Sequence, residues 1–322
     1  MKFGPVNTAD AAGAILAHSL RGLRKGKVLT DQDVAHLVAA GVTSVTVARL
    51  DSTDLDENAA AEQLASALAG QGVRTSAAAT GRVNLYADGA GIVAVDAAAI
   101  AAFNAVNPMI TVATVPPFQR VDDAAMIATV KIISYGVPRT DVDRAATAGA
   151  AALRLLLPRF RSAALVETMI GETPSPKGEA ALRGRLDRLG LTLAPRRLVA
   201  HDATAVAEAI KDIAEDVIFV LTASATSDVA DVGPSGLQMA GGELTQFGMP
   251  VDPGNLLFLG VLGEKPVVGL PGCARSPALN GADWVLERVI CGVPPTPADF
   301  AAMGVGGLLK EIPTRPKPRA DI

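Results

Sequence analysis

The chain has 322 residues, of which 49% are apolar, 19% charged and 3% aromatic, and its formal net charge is −4. At ~150 residues per domain this leaves room for two domains with sizeable cores, and an apolar fraction carried by Ala and Val suits helices packed on parallel strands. The acidic balance argues against nucleic acid, which rewards clustered Lys and Arg. No run of ~18 uncharged apolar residues offers a membrane span, and the two cysteines and three histidines lack the spacing of a disulfide framework or a zinc site.

In chain order, Thr8 is the expected N-cap of a helix over "ADAAGAILAHSL", with Ile15, Leu16 and Leu20 on one face. Asp10 interrupts this mild opening stretch, so no secretory signal is expected and a reducing cytoplasm is the expected setting. The basic run Arg21 to Lys27 reads as a solvated helix end. Thr30 caps a second helix that Gly41 closes, and "VTSVTVARL" alternates as a strand. Residues 56–70 read as a helix. From 75 to 138 short β-rich runs lie between Gly and Pro breaks, with one helix near 97–105. A helix over 141–157 leads to Pro158.

From residue 162 the pattern alternates. Strand "SAALVETMI" is followed by loop "GETPSPKG", helix 179–189, a strand near 191–199 and helix 203–214. Strand "DVIFVLT" comes next, then a hydroxyl-rich loop, a helix, strands near 256–262 and 266–270, and a helix over 281–291. This order predicts βαβ units in a mostly parallel sheet. The expected architecture is α/β: a mixed α+β region over 1–158 (helix–helix–strand over 1–70, β-rich over 71–140), a three-layer α/β/α domain over 159–294, and a Pro-rich charged tail or linker over 295–322.

Ligands of such sheets gather outside the carboxyl ends of the strands. Three unusual loops leave strands there. The first carries Glu167, Thr168, Glu172, Thr173, Ser175 and Lys177; the second is "TASATSDVAD" (222–231); the third is "LPGCARSP", preceded by the related turn "MPVDPGN". Small residues at Ala223 to Thr226 let backbone N–H groups approach a phosphate, and a following helix N-terminus favours its charge. Asp228 and Asp231 either flank a cation, for which Mg²⁺ with substrate phosphates is the fitting ion, or cap a helix. Neither GxGxxG nor GxxxxGK[ST] occurs.

The succession from "DVIFVLTASATSDVAD" through "GGELTQFGMPVDPGNLLFLGVLGEKPVVGLPGCARSPALNGADWVLERV" resembles the molybdopterin-binding domain family of molybdenum cofactor biosynthesis. Members show T-G-G-x-S, then P-G-K-P, then L-P-G-N-P-x-S, and the order and spacing match over residues 162–292. The segments "GMPVDPGNLLFLG" and "GLPGCARSP", with "GPVNTADAAGAILAHSL", "KGKVLTDQDVAHLVAAGV" and "ATVKII", resemble a bacterial branch in which this domain precedes a cytidylyltransferase domain.

The resemblance implies a site for molybdopterin or the molybdenum cofactor on three loops. Thr222, Ala223, Ser224, Ala225 and Thr226 stand for T-G-G-x-S, with Ser227 beside them. Asp228 or Asp231 stands for the acidic catalytic position. Pro253, Gly254 and Asn255 stand for P-G-K, and Leu270, Pro271, Gly272, Cys273, Ala274, Arg275 and Ser276 for the third turn. Both glycines of T-G-G and the lysine of P-G-K-P are replaced; Arg275 offers a neighbouring charge. These departures favour binding over adenylate-dependent metal insertion.

No R-M-G-x-x-K run occurs. Cytidylate transfer is therefore expected from a separate transferase, or from a domain continuing beyond Pro294. The resemblance also allows pairing into a homo-oligomer.

Individual residues carry plainer readings too. Cys273 is either a thiolate ligand or a small packed residue, and Arg275 either a bidentate phosphate donor or a surface ion pair. Ser276, with no base nearby in sequence, is an anion donor rather than a nucleophile. Lys177 and Glu172 frame an entrance or are solvated. Asp202, after His201, is a helix cap; Cys291 is core; Lys131 faces outward. Two other functions compete with binding. A metal-dependent nucleotide or pyrophosphate hydrolase or transferase would turn over a dinucleotide, and a non-catalytic scaffold or sensor would hold a molybdoenzyme partner after its pocket is mutated.

Overall fold

The computed structural model describes residues 1–309. Two compact units divide near Leu155: Met1–Gly89 with Val93–Leu155, and Ala90–Ile92 with the described residues from Leu156 onward. Among the described residues no helix is long and apolar enough to cross a membrane.

In the first unit, Lys2–Asn7, Ser44–Arg49 and Ile15–Leu16 form an antiparallel sheet in the order in which they are named here. Helix Asp31–Ala39 begins at a capping box in which Thr30 and Asp33 exchange backbone–side-chain hydrogen bonds. The helix expected after Thr8 does not form. A single 3-10 turn, Thr8–Asp10, is capped by Asn7 rather than Thr8, and Gly13 stands at φ +72. Beyond it the Gly13 and Leu16 amides donate to the Leu29 and Lys27 carbonyls. The apolar spacing suited a helix, but sheet pairing satisfies the same backbone while burying Ala11, Ala14 and Leu16.

A second antiparallel sheet has the order Val73–Thr75, Arg82–Ala87, Met126–Ile132, Ile110–Thr114. Its apolar face shares a core with helices Glu57–Leu68 and Arg139–Ala148. The helix expected to run to 157 stops at Ala148, because Gly149 and the left-handed Ala151 (φ +51) break it. Leu153–Leu156 then alternates as a strand, burying Leu153 and Leu155 and exposing Arg154.

The second unit is a three-layer α/β/α domain around a seven-stranded sheet. Thr192–Leu193 and Arg197–Ala200 pair in parallel with Ser162–Met169, which pairs in parallel with Val217–Leu221, which pairs in parallel with Lys265–Leu270. Phe258–Leu262 and Glu243–Phe247 complete the sheet as antiparallel strands. The period-2 alternation of buried strands separates the layers. Ala163, Leu165, Phe219, Leu221 and Val268 pack beneath helices Lys177–Asp187 and Gly281–Ile290. Ala164, Val166, Ile218, Val220 and Val267 pack beneath Ala203–Lys211 and Val232–Met239.

Glu243–Phe247 has no counterpart in the expected elements. The stretch from Pro295, read from composition as a tail or linker, contains the capped helix Pro297–Ala302, and Phe300 and Leu309 belong to the core beneath Gly281–Ile290. The final run "PTRPKPRADI" lies outside the described residues.

Candidate functional site

Parallel pairing places the ends of Arg197–Ala200, Ser162–Met169, Val217–Leu221 and Lys265–Leu270 at one edge of the sheet. Phe258 runs the other way opposite Gly269, so the turn before it, residues 249–257, lies at that edge too. All three loops nominated from sequence are therefore neighbours, together with the short turn at His201-Asp202.

At the floor is Glu167, fully buried near the end of its strand. Arg196 donates to one carboxylate oxygen at 2.7 Å, and Arg275 donates to the other. The Arg275 guanidinium also reaches the Thr222 carbonyl at 3.0 Å. Arg275 thus joins the first strand end, the hydroxyl-rich loop and the Pro-Gly turn into one assembly. Its seat depends on Gly178, where a Cβ would stand 2.6 Å from Leu221 and 3.3 Å from Arg275 Nη1. The sequence nominated Arg275 as a phosphate donor; its protein contacts are those of a brace.

The hydroxyl-rich loop is internally ordered. Thr222 and Thr226 are buried; the Thr222 hydroxyl donates to the Ser224 carbonyl at 2.7 Å and lies 3.1 Å from the Thr226 hydroxyl. Ser224 and Ser227 are exposed. Asp231 is the N-cap of Val232–Met239. It accepts the Ser227 and Val232 amides at 3.0 and 2.8 Å, and these bonds hold its carboxyl below the usual carboxylate range. Asp228 accepts the Ala230 amide at 2.8 Å, a local turn bond. Among the described residues, no three His, Cys, Asp or Glu side chains gather as a metal-ligand set.

The Pro253-Gly254 turn packs on the start of the last long helix, where the Gly281 amide donates to the Pro253 carbonyl at 2.8 Å. A Cβ on Gly254 (φ +143) would meet Gly281 backbone at 2.9 Å and Asn280 at 3.2 Å. Asn255 is exposed and donates to the Met249 carbonyl at 3.4 Å. Pro271 leads into the short 3-10 turn Gly272–Arg275. Cys273 is exposed, and its sulfur accepts from the buried Asn280 amide at 3.0 Å. The Ser276 hydroxyl accepts the Ala278 amide at 3.2 Å. Behind the turn, Arg185 and Asp283, both buried, pair at 2.6 Å while Arg185 holds the Ala274 and Ser276 carbonyls. This buried pair fixes the turn, and nothing in the local sequence around Arg185 announces it.

Sequence reasoning named Thr168 only as one residue of the first loop and His201 only as the neighbour of a helix-capping Asp202; the fold brings the two together at this edge. Thr168 is fully buried and accepts the Ala223 amide at 2.8 Å; its hydroxyl lies 2.9 Å from His201 Nδ1. The only local signal was their position at the ends of adjacent strands.

A family described as "Domain of unknown function (DUF8806)" matches residues 5–49. No curated protein gives a significant match. Among solved structures, the molybdopterin biosynthesis protein MoeA from Pyrococcus horikosii is similar at 16% identity and a TM-score of 0.30, covering 78% of this chain and 80% of its own. A molybdenum cofactor biosynthesis protein from Pyrococcus furiosus overlaps at 11% identity and a TM-score of 0.26, over 92% of this chain and 66% of its own. MogA overlaps at 22% identity and a TM-score of 0.29, over 40% of this chain and 92% of its own. At these scores the overlaps decide nothing about the site.

Proposed function

We propose that the second unit binds molybdopterin, or its nucleotide-linked form, as the binding module of a cofactor-maturation step in the cytoplasm, with a cytidylyltransferase domain or protein as its catalytic partner. One observation carries the reading: the three loops with the order of the family's T-G-G-x-S, P-G-K-P and L-P-G-N-P-x-S motifs meet at the carboxyl edge of one sheet. Arg275 ties the outer two strand ends to the loop between them. That edge is where open α/β sheets take ligands.

The chemistry suits an anion with a polar ring system. Ser224 and Ser227 are exposed hydroxyls on a loop of small residues. Around Glu167 two arginines face one carboxylate, and Glu179 stands 3.4 Å from Arg196.

Mass spectrometry of small molecules released from the natively purified chain tests the reading, alongside titration with molybdopterin. Binding at about 1 µM or tighter is expected. It should weaken at least about tenfold in Arg275→Ala, which loses the brace, and also in the double variant Asp228→Ala with Asp231→Ala. Unchanged affinity in both variants, or no binding by the wild type, removes the proposal.

A further inference from the structure

We propose that His201 is a ligand-contacting residue of this edge, a neutral imidazole held with its proton on Nε2 so that it donates to an oxyanion, phosphate or pyrophosphate, bound against the Thr222–Asp231 loop. The proposal rests on the binding role argued above and names one of its contacts.

Hydrogen-bond accounting fixes the tautomer. Thr168 is fully buried, and its hydroxyl oxygen accepts the Ala223 amide at 2.8 Å. A hydroxyl has one proton to give. His201 Nδ1, at 2.9 Å, is the one acceptor within reach of that proton among the described residues. If Nδ1 carried a proton of its own, Thr168 would accept twice and its hydroxyl proton would be left unpaired in the interior, which is unfavourable. The Thr168 proton therefore goes to Nδ1, and the ring proton resides on Nε2.

Position supplies the rest. The His201 amide donates to the Met169 carbonyl at 3.0 Å, which pins the residue between the ends of Arg197–Ala200 and Ser162–Met169. Through Thr168 the ring is one bond from the Ala223 amide, in the loop of small residues. The ring is half-buried, and among the described residues Nε2 has no protein partner. The result is an oriented donor, free at its outer end and braced behind by a buried hydroxyl. The hydrogen bond made at one ring nitrogen sets what the other offers a ligand.

The test uses the full chain labelled with ¹⁵N in its histidines, with inorganic pyrophosphate as probe. In the free protein at pH 7.5, His201 should show the Nε2–H tautomer, and Thr168→Val should convert it to a tautomer mixture while Thr168→Ser preserves it. Pyrophosphate should shift the His201 Nε2–H resonance. His201→Ala should weaken pyrophosphate about tenfold, the loss of one hydrogen bond to a charged group, and His201→Gln, which keeps an N–H near the Nε2 position, should restore most of it. An Nδ1–H tautomer or an imidazolium in the free protein overturns the proposal. So does pyrophosphate binding with equal affinity in wild type and His201→Ala, and that outcome leaves the site itself standing. A correct tautomer with no pyrophosphate binding by the wild type removes the contact and the anion site together.

Discussion

Arg275 closes on Glu167 across 108 residues of sequence, and the carboxylate it meets is fully buried. A residue nominated for its charge toward a ligand is held by the protein's own strand end. Removing it leaves Glu167 to Arg196 alone and releases the Thr222 carbonyl. Arg275→Ala is expected to destabilise the second unit by about 2–3 kcal/mol, below the value for a fully buried pair because the arginine is partly solvated. Arg275→Lys, a point charge that cannot span both acceptors, should cost about 1–2 kcal/mol. Urea unfolding followed by fluorescence of Trp284, the one tryptophan in the chain, reads this unit, since Trp284 packs on its core. A shift below 0.5 kcal/mol, on the scale of ordinary surface changes, would show that the brace is idle.

The acid side of the stability profile follows from caps. Asp33 accepts from Lys27 and from the Thr30 amide and hydroxyl, and these bonds, the Lys27 one foremost, lower its carboxyl to about 2. A carboxylate whose folded value is depressed stabilises fully above its unfolded value of ~4, and loses that contribution as pH falls through the folded value. The first unit should therefore lose stability between about pH 4 and pH 2, and Asp33→Asn should lose less over that window and meet the wild type near its lower end. Asp231, also lowered, gives the second unit the same sign. Parallel curves for wild type and Asp33→Asn from pH 5 to pH 2 would contradict the assignment.

What could be read from sequence divides along a physical line. Thr30 as a helix cap and the alternation of "VTSVTVARL" are signals complete within a few residues, and the structure realises both. The βαβ order of the second unit was legible for the same reason, since each strand and helix carries its own period. Ile15, Leu16 and Leu20 sat at helical spacing, but the fate of Ile15 and Leu16 was decided by pairing with residues 27–28 and 47–48, which no short window contains. At the site, the loops were legible because Pro, Gly and hydroxyl runs are local. The partners of Arg275, Arg185 and Thr168 lie 108, 98 and 55 residues away, so brace and ligand donor could not be told apart from composition.

The two cysteines should separate cleanly by reactivity. Cys273 is exposed, whereas Cys291 is buried and its thiol is pushed up to about 12 by that burial. Only the thiolate is an effective nucleophile. Native chain treated with iodoacetamide at pH 8 should carry the label on Cys273, with Cys291 labelled only after denaturation; peptide mapping distinguishes them. Ligand bound at the third turn should slow Cys273 labelling severalfold. Native labelling of Cys291 at a rate like that of Cys273 would mean the last long helix opens far more readily than its packing implies.

Gly254 offers the sharpest probe of the turn itself. Its φ of +143 is a conformation that side chains rarely adopt, and an added Cβ would press on Gly281 backbone at 2.9 Å. The obstacle is main chain at a helix start, so no rotamer change relieves it. Gly254→Ala should cost about 1–3 kcal/mol, the range of overpacking, and displace the Pro253–Leu256 turn from Asn280. Because Asn280 also donates to Cys273, the displacement should reach the third turn as faster Cys273 alkylation. Stability and alkylation rate are measured on the same sample, which separates a strained turn from general loosening. If Cys291 stays protected while Cys273 labels faster, the strain has travelled through Asn280; if both accelerate together, the coupling between these turns is refuted.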